Sequence, residues 1–276
     1  KIDYIMTQQS KTSSYVLPVG EADQKRLEIL DEVYGSYSRT IFDKFLYKGQ
    51  DIAVFGCGSG GSIDYIHQKI GNTGKILCVD ASPEQINLAK RILTEKNVLN
   101  VEYQIQDVHD SKGQEEYNVV YCRFLLIHVE NPKEAIKSML THVKKGGLII
   151  CDEYSAGYNW CYPESKLFDK ITRIQQKINQ FHGKKDNRYG EKLSYDMLDL
   201  GVELVHFDLN IPIFNSERKK QLMIMSWEAI MKKGKIREIV PDSELEEVIS
   251  ELKQYKDDKT MYQSGGLMFQ YVGKKR

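Results

Sequence analysis

The stretch DIAVFGCGSGG, residues 51–61, joins a short apolar run to a dense group of glycines. The apolar run has the length of a buried strand, and a helical pattern follows it with Ile63, Ile66 and Ile70 on one face. Glycines between a strand and a helix let the backbone approach a ligand closely and present helix N-terminal amides to it. The stretch therefore predicts a ligand-binding turn.

The glycines of this turn fit two spacings. Gly56, Gly58 and Gly61 match the GxGxxG fingerprint of dinucleotide-binding turns, whereas Gly56, Gly58 and Gly60 form a tighter GxGxG. Glycine spacing therefore leaves the class of ligand open.

Outward from the turn, residues 50–154 alternate short β-rich runs with helical periodicity, which predicts a parallel sheet built from βαβ units. Further strands are expected at 75–80, 101–105, 117–122, 148–151, 201–207 and 267–272. We predict a doubly wound, mostly parallel seven-stranded α/β sheet with helices on both faces. Among the helix starts, Ser82 with Gln85 and Ser243 with Glu246 have the spacing of capping boxes.

The regular pattern divides the chain into three predicted parts. Residues 1–45 form an N-terminal helical cap, 46–154 the ligand-binding core, and 155–276 the remaining core strands with inserted helices. We expect the inserted helices and the cap to form a lid over the carboxyl edge of the sheet, where ligands bind in such folds.

Composition limits the classes of function. The chain has 276 residues, of which 41% are hydrophobic and 28% charged, as in a globular protein. Lys and Arg balance Asp and Glu at 39 each, so no nucleic-acid partner is expected. The sequence also lacks a membrane-spanning apolar run. The five cysteines form no CxxC pair, which favours a reducing, cytoplasmic location and predicts no metal site.

Two carboxylates follow successive predicted strands. Asp80 ends the second strand, about 20 residues beyond the glycines, where a carboxylate can accept hydrogen bonds from ribose hydroxyls. Asp107 follows the third strand and should lie at the same edge, where it can accept from an adenine amine. Together with the turn, they indicate an adenosine-containing cofactor.

The order of these motifs resembles the class I S-adenosylmethionine-dependent methyltransferases. The resemblance rests on VFGCGSG at 54–60, VDASPEQ at 79–85, QDV at 106–108, RFLLIHV at 123–129 and VKKGGL at 143–148. It implies S-adenosylmethionine as the cofactor and the following cofactor-binding residues: Gly56, Gly58, Gly60, Asp80, Ala81, Gln85, Asp107, Val108 and Arg123. The sequence departs from the family pattern at Val54, where an acid usually helps to hold the cofactor's amino group. Asp64 or a residue of the N-terminal segment would have to replace that acid.

Methyl transfer from a sulfonium is an in-line displacement that depends on geometry and exclusion of water, so no particular catalytic side chain is predicted. The acceptor is expected to be a small molecule, because the predicted helical insertions are large enough to close a pocket. Candidate pocket residues are His128, Glu153, Tyr154 and Trp160.

Two alternatives remain at the level of sequence. A nicotinamide-dependent oxidoreductase would use GxGxxG and explain Asp80, although it gives Asp107 no role. A catalytically silent S-adenosylmethionine-binding protein would explain Val54. The identity of the acceptor, the methylated atom and the oligomeric state are not determined by these patterns.

Overall fold

The computed structural model describes residues 21–156, 158, 160–182, 188–232 and 234–276. Its strands are β1 Ile52–Phe55, β2 Ile76–Asp80, β3 Val101–Ile105, β4 Tyr117–Arg123, β5 Val143–Ser155, β6 Cys161–Tyr162, β7 Glu203–Asn210, β8 Ile213–Phe214, β9 Tyr262–Ser264 and β10 Leu267–Lys274. Its α-helices are α1 Glu21–Phe45, α2 Ile63–Ile70, α3 Pro83–Glu95, α4 Pro132–His142, α5 Lys166–His182, α6 Tyr189–Asp199, α7 Glu217–Met231 and α8 Asp242–Asp257.

The main sheet has seven strands in the order β3-β2-β1-β4-β5-β10-β7. The five strands β3, β2, β1, β4 and β5 are parallel to one another, whereas β10 runs antiparallel to both β5 and β7. This arrangement confirms the predicted mostly parallel seven-stranded sheet.

Strand alternation distributes the core between two faces. In β1, Ile52 and Val54 pack with α1 and α2 on one face. Ala53 and Phe55 pack with α4 and α6 on the other. Helices therefore cover both faces, as predicted, and the apolar residues of β1 are buried on both sides.

Helix α1 belongs to two clusters. Near its C-terminal end, Ile41 and Phe42 pack into the sheet core, whereas Ile29 and Val33 pack against α7. Residues 1–20 of the predicted cap lie outside the described residues. The three-part division of the chain stays a prediction.

The helices α5, α7 and α8 share an apolar core and form what we call the lid. The lid segments leave the sheet after β5 and β7 and return into the start of antiparallel β10, so they lie at the carboxyl edge. A small sheet in the order β6-β9-β8, which the sequence did not predict, joins these segments. The predicted capping box of Ser243 and Glu246 is wrong, because α8 begins at Asp242, after Pro241.

Candidate cofactor and acceptor site

The glycine turn after β1 has a backbone that side chains disfavour. Gly56, Gly58 and Gly60 adopt φ values of +63°, +53° and +84°, in the left-handed region. Gly61 does not, and a Cβ placed there would make only ordinary contacts. The glycines that the backbone requires are therefore those of the GxGxG spacing.

Asp80 is tied to this turn. One carboxylate oxygen accepts from the Gly58 N–H at 3.0 Å, and the other accepts from the Ser82 N–H at 2.9 Å. Burial raises the pKa of the carboxyl above its ordinary value, although its backbone donors act in the opposite direction. Each oxygen keeps acceptor capacity for a ligand hydroxyl, because a carboxylate oxygen can accept more than one hydrogen bond.

Asp107 lies one strand further along the same edge. The Gln106 N–H donates to the Asp80 carbonyl at 3.0 Å, so the two strand ends are adjacent. The Asp107 carboxylate caps a 3-10 turn by accepting from the His109 N–H at 2.9 Å, and it lies 2.8 Å from the His109 Nδ1. The Val108 side chain is buried in the sheet core, and its carbonyl accepts from the Ser138 hydroxyl.

Helix α3 starts beside Asp80. The Ser82 hydroxyl accepts from the Gln85 N–H at 3.2 Å, as expected of an N-cap. The Gln85 side chain does not complete the predicted capping box: it is buried, and its Oε1 has no hydrogen-bond partner in the described part of the chain. Ala81 is exposed between these residues.

Arg123 ends β4 and connects the site to α1. Its Nη2 donates to the Asp31 Oδ1 at 2.8 Å, and its Nη1 lies 3.5 Å from the Ser38 hydroxyl. The Ser38 hydroxyl also donates to the buried Asp152 carboxylate at 2.6 Å. Arg123, predicted as a cofactor-binding residue, therefore lies at the contact between α1 and the strand ends.

Glu153 lies near the C-terminal end of β5. It is 0% exposed, and its Oε1 accepts from the N–H groups of Leu125 and Leu126 at 2.9 and 2.8 Å. Its Oε2 is buried without a hydrogen-bond partner in the described residues. Burial raises the pKa of Glu153 to about 8. The carboxyl thus supports the loop after β4.

An aromatic cluster lies where α1, the loop after β4 and the end of β5 meet. Phe124 contacts Tyr34 and Tyr154 edge-on, with ring centroids 5.0 and 5.9 Å apart. Phe124 adopts a φ of +53°, which is uncommon for a bulky residue. Burial raises the pKa of Tyr154 to about 12, so this hydroxyl keeps its proton at neutral pH.

The other predicted pocket residues lie elsewhere or at the margin. Trp160 belongs to the small sheet region, where its ring contacts Tyr262 at 5.9 Å and is 43% exposed. The neighbouring Tyr158 and Tyr162 are exposed too. His128 is half-buried in a 3-10 turn after β4.

Sequence reasoning missed Asp31 and Phe124. Asp31 lies on a helix far from the glycine turn in sequence, and nothing in its spacing indicates that helix packing brings it there. In the part of the chain that the structure describes, no cluster of three His, Cys, Asp or Glu residues could hold a metal. Nor does any helix there have the length and apolarity needed to cross a bilayer.

Comparisons with known proteins agree with this geometry. Residues 52–147 match a family model described as "Methyltransferase domain". A mitochondrial ubiquinone biosynthesis O-methyltransferase from Schizosaccharomyces pombe is 30% identical over 132 residues, which are 47% of this chain and 44% of that protein. The chain spans about half the length of the curated relatives it matches.

Solved structures share the fold at low identity. The [4+2]-cyclase SpnF superposes with a TM-score of 0.57 at 14% identity, covering 94% of this chain and 97% of that one. A phosphoethanolamine N-methyltransferase from Haemonchus contortus, solved with S-adenosyl-L-methionine, gives 0.51 at 16% identity, covering 91% and 52%. Residues 52–147 therefore match a methyltransferase domain, and the wider chain shares the fold of these solved structures.

Proposed function

We propose that this protein transfers a methyl group from S-adenosylmethionine to a small-molecule acceptor. The observation that carries the proposal is the glycine turn, in which Gly56, Gly58 and Gly60 are left-handed and Asp80 accepts from Gly58. This turn brings backbone amides and a carboxylate together at the carboxyl edge of the sheet.

The residues at this edge fit the cofactor. A Cβ added at Gly58 would meet no atom within 4 Å, so space lies beside the turn. The Gln85 Oε1, which is buried and has no hydrogen-bond partner among the described residues, offers an acceptor at the start of α3. We propose that Asp80 holds the ribose and that Asp107 and the Val108 backbone hold the adenine edge. Ala81, Gln85 and Arg123 would line the same pocket.

When bound, the cofactor supplies an activated methyl group on a sulfonium, so the chain's task is alignment and exclusion of water. The aromatic cluster of Tyr34, Phe124 and Tyr154 is the proposed acceptor wall, because aromatic faces suit both a flat acceptor and a sulfonium charge. We propose that His128 orients the acceptor group or takes its proton. Tyr154 is not proposed as the base, because its hydroxyl stays protonated at neutral pH.

An oxygen of a flat ring is the proposed methyl acceptor. The aromatic wall supports this proposal, as does the similarity to enzymes named ubiquinone biosynthesis O-methyltransferase.

We also propose a cytoplasmic location, which is supported by five cysteines that are all free. We propose no nucleic-acid partner, because the net charge is zero.

Calorimetric titration with S-adenosylhomocysteine and with NADH tests the cofactor. We expect micromolar binding of the nucleoside thioether and none of NADH; the reverse result would support the oxidoreductase and refute the proposal.

Incubation with S-adenosylmethionine labelled in its methyl group tests turnover. A panel of phenols, catechols, amines and thiols should show label transfer to ring hydroxyls. Cofactor binding without transfer to any acceptor would favour the silent alternative, for which the buried Val54 is the best argument.

A further inference from the structure

The N-terminal half of α1 brings a carboxylate to the glycine turn. The nearest atoms to a Cβ built on Gly61 are the Cβ, Cγ and Oδ1 of Asp31, all at 3.6 Å. The Asp31 side chain is 21% exposed, which leaves it shielded but accessible. This acid therefore lies beside the turn, although it comes from a different part of the sequence.

Two arginines fix the Asp31 carboxylate. The Arg39 Nη1 donates to Oδ2 at 3.2 Å, and the Arg123 Nη2 donates to Oδ1 at 2.8 Å. These guanidinium groups come from α1 and from the end of β4, so they hold the carboxylate from two directions. Its remaining lone pairs can accept from a third donor.

Gly35 makes this arrangement possible. A Cβ at Gly35 would lie 2.6 Å from the Asp31 Oδ1 and 2.9 Å from the Arg39 Nη1. The side chains of Asp31 and Arg39 thus meet directly across the bare surface of Gly35. A glycine inside a helix is less stable than alanine at the same position, so α1 is weakened at the residue that accommodates the pair.

The acid expected at the end of β1 is absent. Val54 is 3% exposed and packs in the sheet core. Asp64, on the helix after the turn, pairs with Lys96 at 3.3 Å on the surface. Asp80 is already bonded to the turn and to Ser82. Of these carboxylates, Asp31 is the one placed to meet a cation at the turn.

We propose that Asp31 binds the α-ammonium group of the cofactor's methionine part, in place of an acid at position 54. Arg39, Arg123 and Gly35 position this carboxylate. The inference rests on the proposed function, because it requires a ligand with an α-amino group at the glycine turn.

The decisive experiment compares two ligands. S-adenosylhomocysteine carries the amino-acid part, whereas 5′-methylthioadenosine lacks it. Asp31→Asn should weaken binding of S-adenosylhomocysteine at least tenfold and change binding of methylthioadenosine less than twofold. The matched control, Asp64→Asn, should change neither. Equal losses for both ligands, or a loss with Asp64→Asn alone, would overturn the inference.

A second variant and a variant-free measurement cover the case in which Asp31→Asn does not fold. Gly35→Ala favours the helix yet displaces the Asp31 carboxylate, so it should also weaken only S-adenosylhomocysteine. The wild-type protein should bind S-adenosylhomocysteine at least tenfold more tightly than its deaminated analogue, and equal affinities would refute the role of the ammonium. Failure of the wild type to bind either nucleoside would refute the proposed function itself.

Discussion

The Glu153 carboxyl gives the structure a measurable pH signature. It is completely buried at the end of β5, and one oxygen holds the backbone of Leu125 and Leu126. Burial raises its pKa to about 8 from an ordinary value of 4.5. In the unfolded chain the group ionises near its ordinary value, so the folded protein retains a proton that the unfolded chain releases.

A folded pKa above the unfolded value gives stability that is fully present below pH 4.5 and lost as the pH rises through 8. The difference of about 3.5 units corresponds to about 5 kcal/mol, at about 1.36 kcal/mol per unit. Glu153→Gln replaces the carboxyl with a neutral group of the same shape that can still accept from both N–H groups. Taking the two proteins as equally stable when the carboxyl is protonated, the variant should be more stable by about 1 kcal/mol at pH 5, and by several kcal/mol at pH 8.5, because the loss accumulates between pH 4.5 and 8.

Urea unfolding of both proteins between pH 5 and 8.5 measures this difference, because every other titrating group cancels between them. Glu102→Gln, at an exposed position of β3, is the control and should follow the wild type at each pH. Parallel curves for the wild type and Glu153→Gln would show that the Glu153 carboxyl ionises at its ordinary pKa in the folded protein and that this reasoning is incorrect.

Three further substitutions test the site. Gly58→Ala should cost about 1 to 2 kcal/mol of stability, because its backbone is left-handed, and should abolish measurable S-adenosylhomocysteine binding. The control is Gly201→Ala, which has a similar φ and equally open surroundings. It should lose stability but bind S-adenosylhomocysteine as the wild type does. Asp80→Ala should weaken S-adenosylhomocysteine binding by about 1 to 3 kcal/mol, measured by calorimetry; unchanged affinity would mean that the ribose is held elsewhere. Ser38→Ala should lower the unfolding free energy by about 1 to 2 kcal/mol, because it removes a donor from the buried Asp152; urea unfolding with an unchanged midpoint would contradict this.

Local patterns were sufficient for the core of the fold. Buried parallel strands are short apolar runs, and their helices carry one apolar face, so β1 and α2 could be read from neighbouring residues. The small sheet could not be predicted in this way. Its strand β6 has two residues and pairs with β9, about a hundred residues later, so neither periodicity nor proximity indicates it.

The same distinction between local sequence patterns and long-range contacts applies to the site. Asp80 and Asp107 could be placed because parallel strands end at one edge, and the structure brings them to adjacent strand ends. The sequence could not show how side chains at that edge are solvated. Glu153 and Trp160 both come from the mixed polar and aromatic stretch at the end of β5 and just after it. Glu153 is nevertheless fully buried, whereas Trp160 is 43% exposed. Long-range packing decides that difference, because Glu153 is held by the backbone of the loop after β4, whereas Trp160 lies against Tyr262 at the small sheet.

The position of α1 predicts that cofactor binding orders the lid. Ile41 and Phe42 hold α1 to the sheet, while Ile29 packs with α7. Asp31 lies in the half that contacts the lid and faces the glycine turn. A ligand held by Asp31 therefore stabilises the half of α1 on which α7 rests.

Amide hydrogen exchange should detect this coupling as slower exchange of α7, residues 217–231, when S-adenosylhomocysteine is bound. The helix α6, which packs on the opposite face of the sheet from α1, serves as the internal control and should change little. Asp31→Asn, saturated with the same ligand, should lose most of the protection in α7. Protection of α7 that is equal in the wild type and in this variant would place the coupling in the sheet rather than in α1, because the sheet contacts are the same in both.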